Sequence, residues 1–148
     1  MPGDCREEKT GHRYQKIVAT GFLVRRGKVL LVRRASHETF RAGCYEMPGG
    51  KVDFGEDPYR ALEREFREET GLDVRATRPY WSFAYVSHGG KRHTVEILFL
   101  VKLKGRLGKI RLSEDHDCHA WAAKDELGKY ALSPEIREAA GRGFSSGL

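Results

Sequence analysis

The sequence predicts one α/β domain, a mixed β-sheet with helices packed on its faces. Three observations predict it. Apolar, β-rich runs bounded by turn residues precede residue 50, a strongly capped amphipathic helix follows, and alternating strands then lead to a second capped helix. A chain of 148 residues with 39% hydrophobic and 10% aromatic content supports one core without disulfides.

The elements follow in order. Residues 1–14 read as a flexible tail and residues 15–140 as the domain. Lys16 to Val24 and Val29 to Val32 read as strands joined by a turn at Arg25-Arg26-Gly27-Lys28. Ala35 to Cys44 reads as a polar loop. Tyr45-Glu46-Met47 is a short strand ended by the turn Pro48-Gly49-Gly50. Asp57 is a suitable N-cap, Pro58 suits the first helical position and Gly71 a left-handed end. Between them Tyr59, Leu62 and Phe66 share one helical face. Trp81, Phe83 and Tyr85 then alternate with smaller residues, His88-Gly89-Gly90-Lys91 is a hairpin turn, and Thr94 to Leu103 is a long apolar strand. His119 to Ala123 reads as a strand, Ser133 to Ala140 as a helix capped by Ser133, and residues 141–148 as a flexible Gly/Ser tail.

Composition excludes several classes. No apolar run reaches the roughly 18 residues of a membrane span, and Met1 to Arg13 lacks the apolar middle of a signal peptide. These readings make a cytoplasmic protein the expectation. Cys5, Cys44 and Cys118 are odd in number and form no CxxC pair, which argues against a disulfide framework. A soft-metal site at His116, Cys118 and His119 is disfavoured because adjacent strand residues point to opposite faces. The net charge of +6 is scattered and matches no RNA-binding motif, so an anionic small molecule is the expected partner rather than nucleic acid or membrane. A homodimer stays open.

The chemistry concentrates in Gly50 to Leu72, GKVDFGEDPYRALEREFREETGL. On a helix Glu65, Glu68 and Glu69 fall in one sector beside the apolar stripe. Carboxylates at i, i+3 and i+4 repel by a few tenths of a kcal/mol per exposed pair. A hard cation such as Mg²⁺ compensates this directly. The plain alternative is a solvated helix held by pairs such as Glu63–Arg67, and for the three glutamates alone it is preferred. The full spacing changes that balance. Its seven fixed identities and two apolar positions arise by chance at roughly one start in 10⁹.

Gly50 to Leu72 resembles the Nudix box at every defined position of that family's signature, and Met47-Pro48-Gly49-Gly50 resembles its lead-in, with Met47 where an aromatic residue or leucine is commoner. The resemblance implies an α/β/α sandwich around a mixed β-sheet, with the box as loop–helix–loop. It implies that Glu65, Glu68 and Glu69 bind Mg²⁺ or Mn²⁺, with the Gly49 carbonyl as a further ligand. It gives Arg64 the task of orienting the glutamates and Glu56 a supporting place. Water attack on a diphosphate then needs a proton acceptor, for which Glu68 is the first candidate and Glu96 the rival.

Glu96 also stands out by itself. It interrupts the apolar strand Thr94 to Leu103, and a buried carboxylate needs a partner or a metal. On the alternation with Leu98 and Leu100 it is expected near the box glutamates; a solvent-facing sheet edge is the other reading. Arg34 is the candidate phosphate contact. Trp81, Phe83 and Tyr85 are candidates to stack a base, although aromatic stripes on strands are more often core.

Among branches, the sequence is similar to the MutT-type enzymes. Ser87 stands where ADP-ribose hydrolases carry a proline. The implied substrate is a nucleoside triphosphate, oxidised ones included, cleaved to monophosphate and pyrophosphate. The alternatives are ADP-ribose or a nucleotide sugar, a triphosphorylated RNA end, and a non-catalytic sensing module, against which the complete box speaks.

Overall fold

The computed structural model describes residues 12–146. Cys5, most of the expected N-terminal tail, Gly147 and Leu148 lie outside that range. Strands β1 (Tyr14–Arg25) and β2 (Lys28–Arg34) form the first hairpin. Its turn places Arg26 and Gly27 at φ 52° and 76°, the paired left-handed conformation that matches strand twist. Strands β3 (Tyr45–Glu46) and β4 (Gly49–Lys51) flank Met47-Pro48. Helix α1 (Pro58–Thr70) carries the box glutamates. Strands β5 (Val74–Ser87) and β6 (Arg92–Leu103) form the second hairpin, β7 (His116–Ala123) follows, and a short 3₁₀ turn (Lys124–Lys129) leads to helix α2 (Pro134–Phe144).

The sheet is mixed because β1 pairs with β6 in parallel over ten residue pairs, while its other neighbours are antiparallel. The strand path is β3-β2-β1-β6-β5, with β4 joined to β1 and β7 to β2. Gly49 and Gly50, expected in a turn, therefore lie in a strand facing Thr20 and Ala19. Their sequence reads as a turn because glycine marks turns locally; β1 supplies the ladder from a distance.

Period-two alternation builds a core on each face. Leu23, Leu30, Phe99 and Val101 pack with Leu62 and Phe66 of α1. Phe22, Val29, Leu31, Leu98 and Leu100 pack with Ile136, Ala139 and Ala140 of α2. The result is the expected α/β/α sandwich. Helix α2 runs past Ala140, the expected end, to Phe144. Gly143 is buried without a side chain against Phe22, and the Phe144 ring packs edge-on to Phe22 at 5.0 Å, so this turn belongs to the core rather than to a loose tail. Among the described residues no helix is long and apolar enough to cross a membrane.

Candidate active site

Helix α1 is fixed at both ends by local chemistry. Asp57 accepts a hydrogen bond from Tyr59 N at 2.9 Å, and Gly71 takes φ 74°, returning its N–H to Arg67. Leu62 and Phe66 of the apolar face are buried in the core, while Tyr59 lies exposed against Phe99, and this fixes the helix's rotation and points Glu65 and Glu69 at a cleft of about 420 Å³. The anticipated Glu63–Arg67 pair does not form. Glu63 accepts from Ala76 N at 3.0 Å, and Arg67 meets Asp73 at 3.3 Å.

The glycines of β4 make the approach possible. A Cβ on Gly50 would collide with the Glu65 carboxyl. Gly49 N–H donates to Glu69 Oε1 at 2.9 Å. Arg64 turns back over the box: its guanidinium donates to Glu56 at 2.8 and 2.9 Å, to Glu65 at 3.0 Å, to Glu68 at 3.3 Å and to the Lys51 carbonyl at 3.2 Å. The Arg64 bonds hold Glu56 down at about 2, with the Asp53 N–H adding to the effect.

The carboxylates of the cleft are shifted the other way. Burial raises Glu65 despite its bond to Arg64, and raises Glu69 well above the ordinary range. Glu96 is 8% exposed and accepts from the Thr20 hydroxyl at 2.7 Å; burial lifts it to about 7 against that bond. Glu96 faces this cleft rather than bulk solvent. Because its folded value lies above its unfolded one, its stabilising contribution is full below about pH 4.5 and is lost as pH rises through about 7. Metal-free Glu96→Gln should therefore lose less stability than wild type between pH 5 and 8, by an amount on the order of 3 kcal/mol. Parallel urea-denaturation profiles in chelator check this; identical profiles would contradict it.

The same cleft is also lined by Lys16, Arg41, Arg92, Phe40 and Tyr85. The Arg41 guanidinium lies 5.0 and 4.9 Å from the centroids of Phe40 and Tyr85, and Arg92 lies 5.3 Å from Phe40. Burial lowers the Lys16 ammonium, with Arg92 and Arg34 adding repulsion. Arg34 reaches the cleft, but as the post of the 35–44 loop: it donates to the Phe40 carbonyl at 2.7 Å and meets Glu38 and Glu46 at 3.4 and 3.5 Å.

Several candidates lie elsewhere. The Glu68 side chain is 57% exposed, beside Arg64 rather than in the cleft lining. Trp81 and Phe83 pack against the α2-side core, with Arg142 4.7 Å over the Trp81 ring; of the aromatic stripe only Tyr85 reaches the cleft. His116 and Cys118 turn to different partners, Glu46 and Tyr45. Sequence reasoning passed over Glu46, Asp115, Lys16, Phe40, Arg41 and Arg92, which the fold assembles from separate segments; Glu46, a charge inside a strand, was the readable signal among them.

Glu46, Glu65, Glu69, Glu96 and Asp115 line the cleft and offer oxygen donors, a set that suits a hard divalent cation. As placed, no three acidic, histidine or cysteine side chains among the described residues converge tightly enough to enclose an ion.

A sheet sandwiched by two helices carries one cleft lined by both carboxylates and cations. The family model of the NUDIX domain matches residues 15–142, so the chain belongs to the NUDIX family. It is 29% identical to a CTP pyrophosphohydrolase of Escherichia coli K12 over 79% of this chain and 82% of that one, and 29% identical to a MutT-like protein of Streptomyces ambofaciens over 82% and 72%. It is 28% identical to an ADP-ribose pyrophosphatase of Methanocaldococcus jannaschii, over 67% of this chain and 56% of that relative's length. A MutT NUDIX hydrolase structure from Burkholderia pseudomallei superposes with a TM-score of 0.72 at 28% identity, covering 88% of this chain and 98% of the other.

Proposed function

We propose that this chain is a divalent-metal-dependent pyrophosphohydrolase that cleaves a nucleoside triphosphate to the monophosphate and pyrophosphate. The observation that carries the reading is the cleft itself, which brings buried carboxylates together with Lys16, Arg41 and Arg92. Glu65 and Glu69, with Glu68 after a side-chain rotation, would hold Mg²⁺ or Mn²⁺ together with Glu96 and the Gly49 carbonyl. When bound, such ions neutralise the diphosphate and acidify water. Arg64 keeps Glu65 and Glu56 in register. Lys16, Arg41 and Arg92 take the outer phosphates, and Phe40 and Tyr85 offer ring faces to a base.

Glu96 is favoured over Glu68 as the proton acceptor, since it faces the cleft while Glu68 turns outward to Arg64. As the water oxygen bonds to phosphorus, its proton passes to Glu96 and the P–O bond to pyrophosphate breaks. ADP-ribose is the second reading, favoured by the name of the Methanocaldococcus relative.

The test is turnover of nucleoside triphosphates, their oxidised forms and ADP-ribose with Mg²⁺, identifying both products. Monophosphate and pyrophosphate from a triphosphate is the expected result; much faster turnover of ADP-ribose would overturn the substrate assignment. Exhaustive chelation should abolish turnover, and full activity after it would sink the metal-dependent mechanism.

A further inference from the structure

His116 is a buried group that the chemistry above leaves unused. It opens β7 beside Arg34 of β2, at the point where the register of those strands shifts between Arg33 and Arg34. Its side chain is wholly enclosed, yet its lining is not apolar. Nε2 is hydrogen-bonded to Glu46 Oε2 at 2.9 Å, and Nδ1 lies 3.7 Å from Glu69 Oε2 with no hydrogen-bond partner. Glu46 is engaged in turn by Arg34 at 3.5 Å. The other oxygen of Glu69 is held by Gly49 N–H. An imidazole serving only as filler has no reason to aim both nitrogens at carboxylates from two different elements.

We propose that His116 is a positioning residue for Glu69. Gly49 N–H fixes one carboxylate oxygen and the Nδ1 edge faces the other, so the group is oriented before a cation arrives. Glu46, anchored by Arg34, fixes the ring. The β2–β7 bulge thereby links the 35–44 loop to the glutamate helix. The inference rests on reading Glu69 as a metal ligand. Groups that orient ligands in this way change metal affinity by about 10- to 100-fold when removed.

The two ring nitrogens can be replaced one at a time. In His116→Gln the side-chain amide reaches the place of Nε2 and keeps the Glu46 contact while vacating the Nδ1 edge. In His116→Asn the amide reaches the place of Nδ1, where it can donate to or accept from Glu69. The readout is Mn²⁺ affinity of the full chain without substrate, from the electron paramagnetic resonance of free Mn²⁺. His116→Gln should bind Mn²⁺ about tenfold or more weakly. It should also need more Mg²⁺ for half-maximal turnover, with kcat restored at saturating metal and the nucleotide KM unchanged. His116→Asn, which keeps the Nδ1 edge but gives up the Glu46 anchor, should lose clearly less affinity than His116→Gln. Equal losses in both variants, or wild-type affinity in His116→Gln, would overturn the proposal, since a purely structural role makes affinity follow the melting temperature in each. If neither amide variant folds, Glu46→Gln loosens the ring from its other side and should weaken Mn²⁺; unchanged binding there overturns the proposal. Glu69→Gln separates the two ideas: if it binds Mn²⁺ as wild type does, the ligand reading fails and this inference with it.

Discussion

Glu69→Gln is expected to lower kcat by at least about 10²-fold while the chain stays folded. The carboxylate is buried beside Glu65 and across from Glu46, with the Gly49 N–H as its hydrogen-bond donor. Glutamine keeps the shape and can still accept that bond through its amide oxygen. What it removes is the charge that a cation would use. Because burial already disfavours that charge, the metal-free variant should melt at or above the wild-type temperature near neutral pH. Steady-state kinetics at saturating Mg²⁺ and thermal melts in chelator measure the two halves separately. A kcat within a fewfold of wild type would remove Glu69 from the machinery.

Arg64→Ala should be nearly as damaging, lowering kcat/KM by at least about 10²-fold. One guanidinium joins Glu56, Glu65, Glu68 and the Lys51 carbonyl, so its loss frees the box loop and leaves Glu65 without its restraining donor. The planar fork is what the geometry uses, and Arg64→Lys should recover little, because one ammonium nitrogen cannot span the separate acceptors that Nε, Nη1 and Nη2 reach. The stability cost should be modest, about 1–2 kcal/mol, since the side chain is 31% exposed and solvent screens its ion pairs. Amide exchange of residues 50–57 should accelerate in both variants. Activity restored by lysine would show that charge alone suffices.

Local features were the readable part of the fold. The caps at Asp57 and Gly71, both hairpin turns and the two apolar faces follow from chemistry within a few residues, and each stands as expected. What escaped depends on distant partners. Gly49-Gly50 becomes a strand only because β1 pairs with it, and β7 begins at His116 rather than His119 because β2 extends its ladder across a bulge. Helix α2 gains its last turn from Phe22, far away in sequence.

The same division holds for the site. Glu65 and Glu69 were readable from spacing, and Glu96 from its interruption of an apolar strand. Periodicity also placed Glu68 with them, but the burial of the apolar stripe turns that flank of the helix outward to Arg64. Trp81 and Phe83 illustrate the limit of composition: an aromatic face on a strand reads alike whether a base or a helix covers it, and here the covering element is α2.

The parallel pairing of β1 with β6 also sets when the molecule can form. Thr20 and Glu96, bonded across that pair, are 76 positions apart. The central strand of the sheet therefore has no partner on one edge until most of the chain has been synthesised, and closing so long a loop costs entropy before any pairing compensates it. Folding should be slow for a domain of this size, in the range of milliseconds to seconds typical of non-local sheets. Until then the apolar run Ala19 to Leu23 is open to other strands. Aggregation during expression should accordingly respond to changes in β6 at least as strongly as to changes in β1 itself.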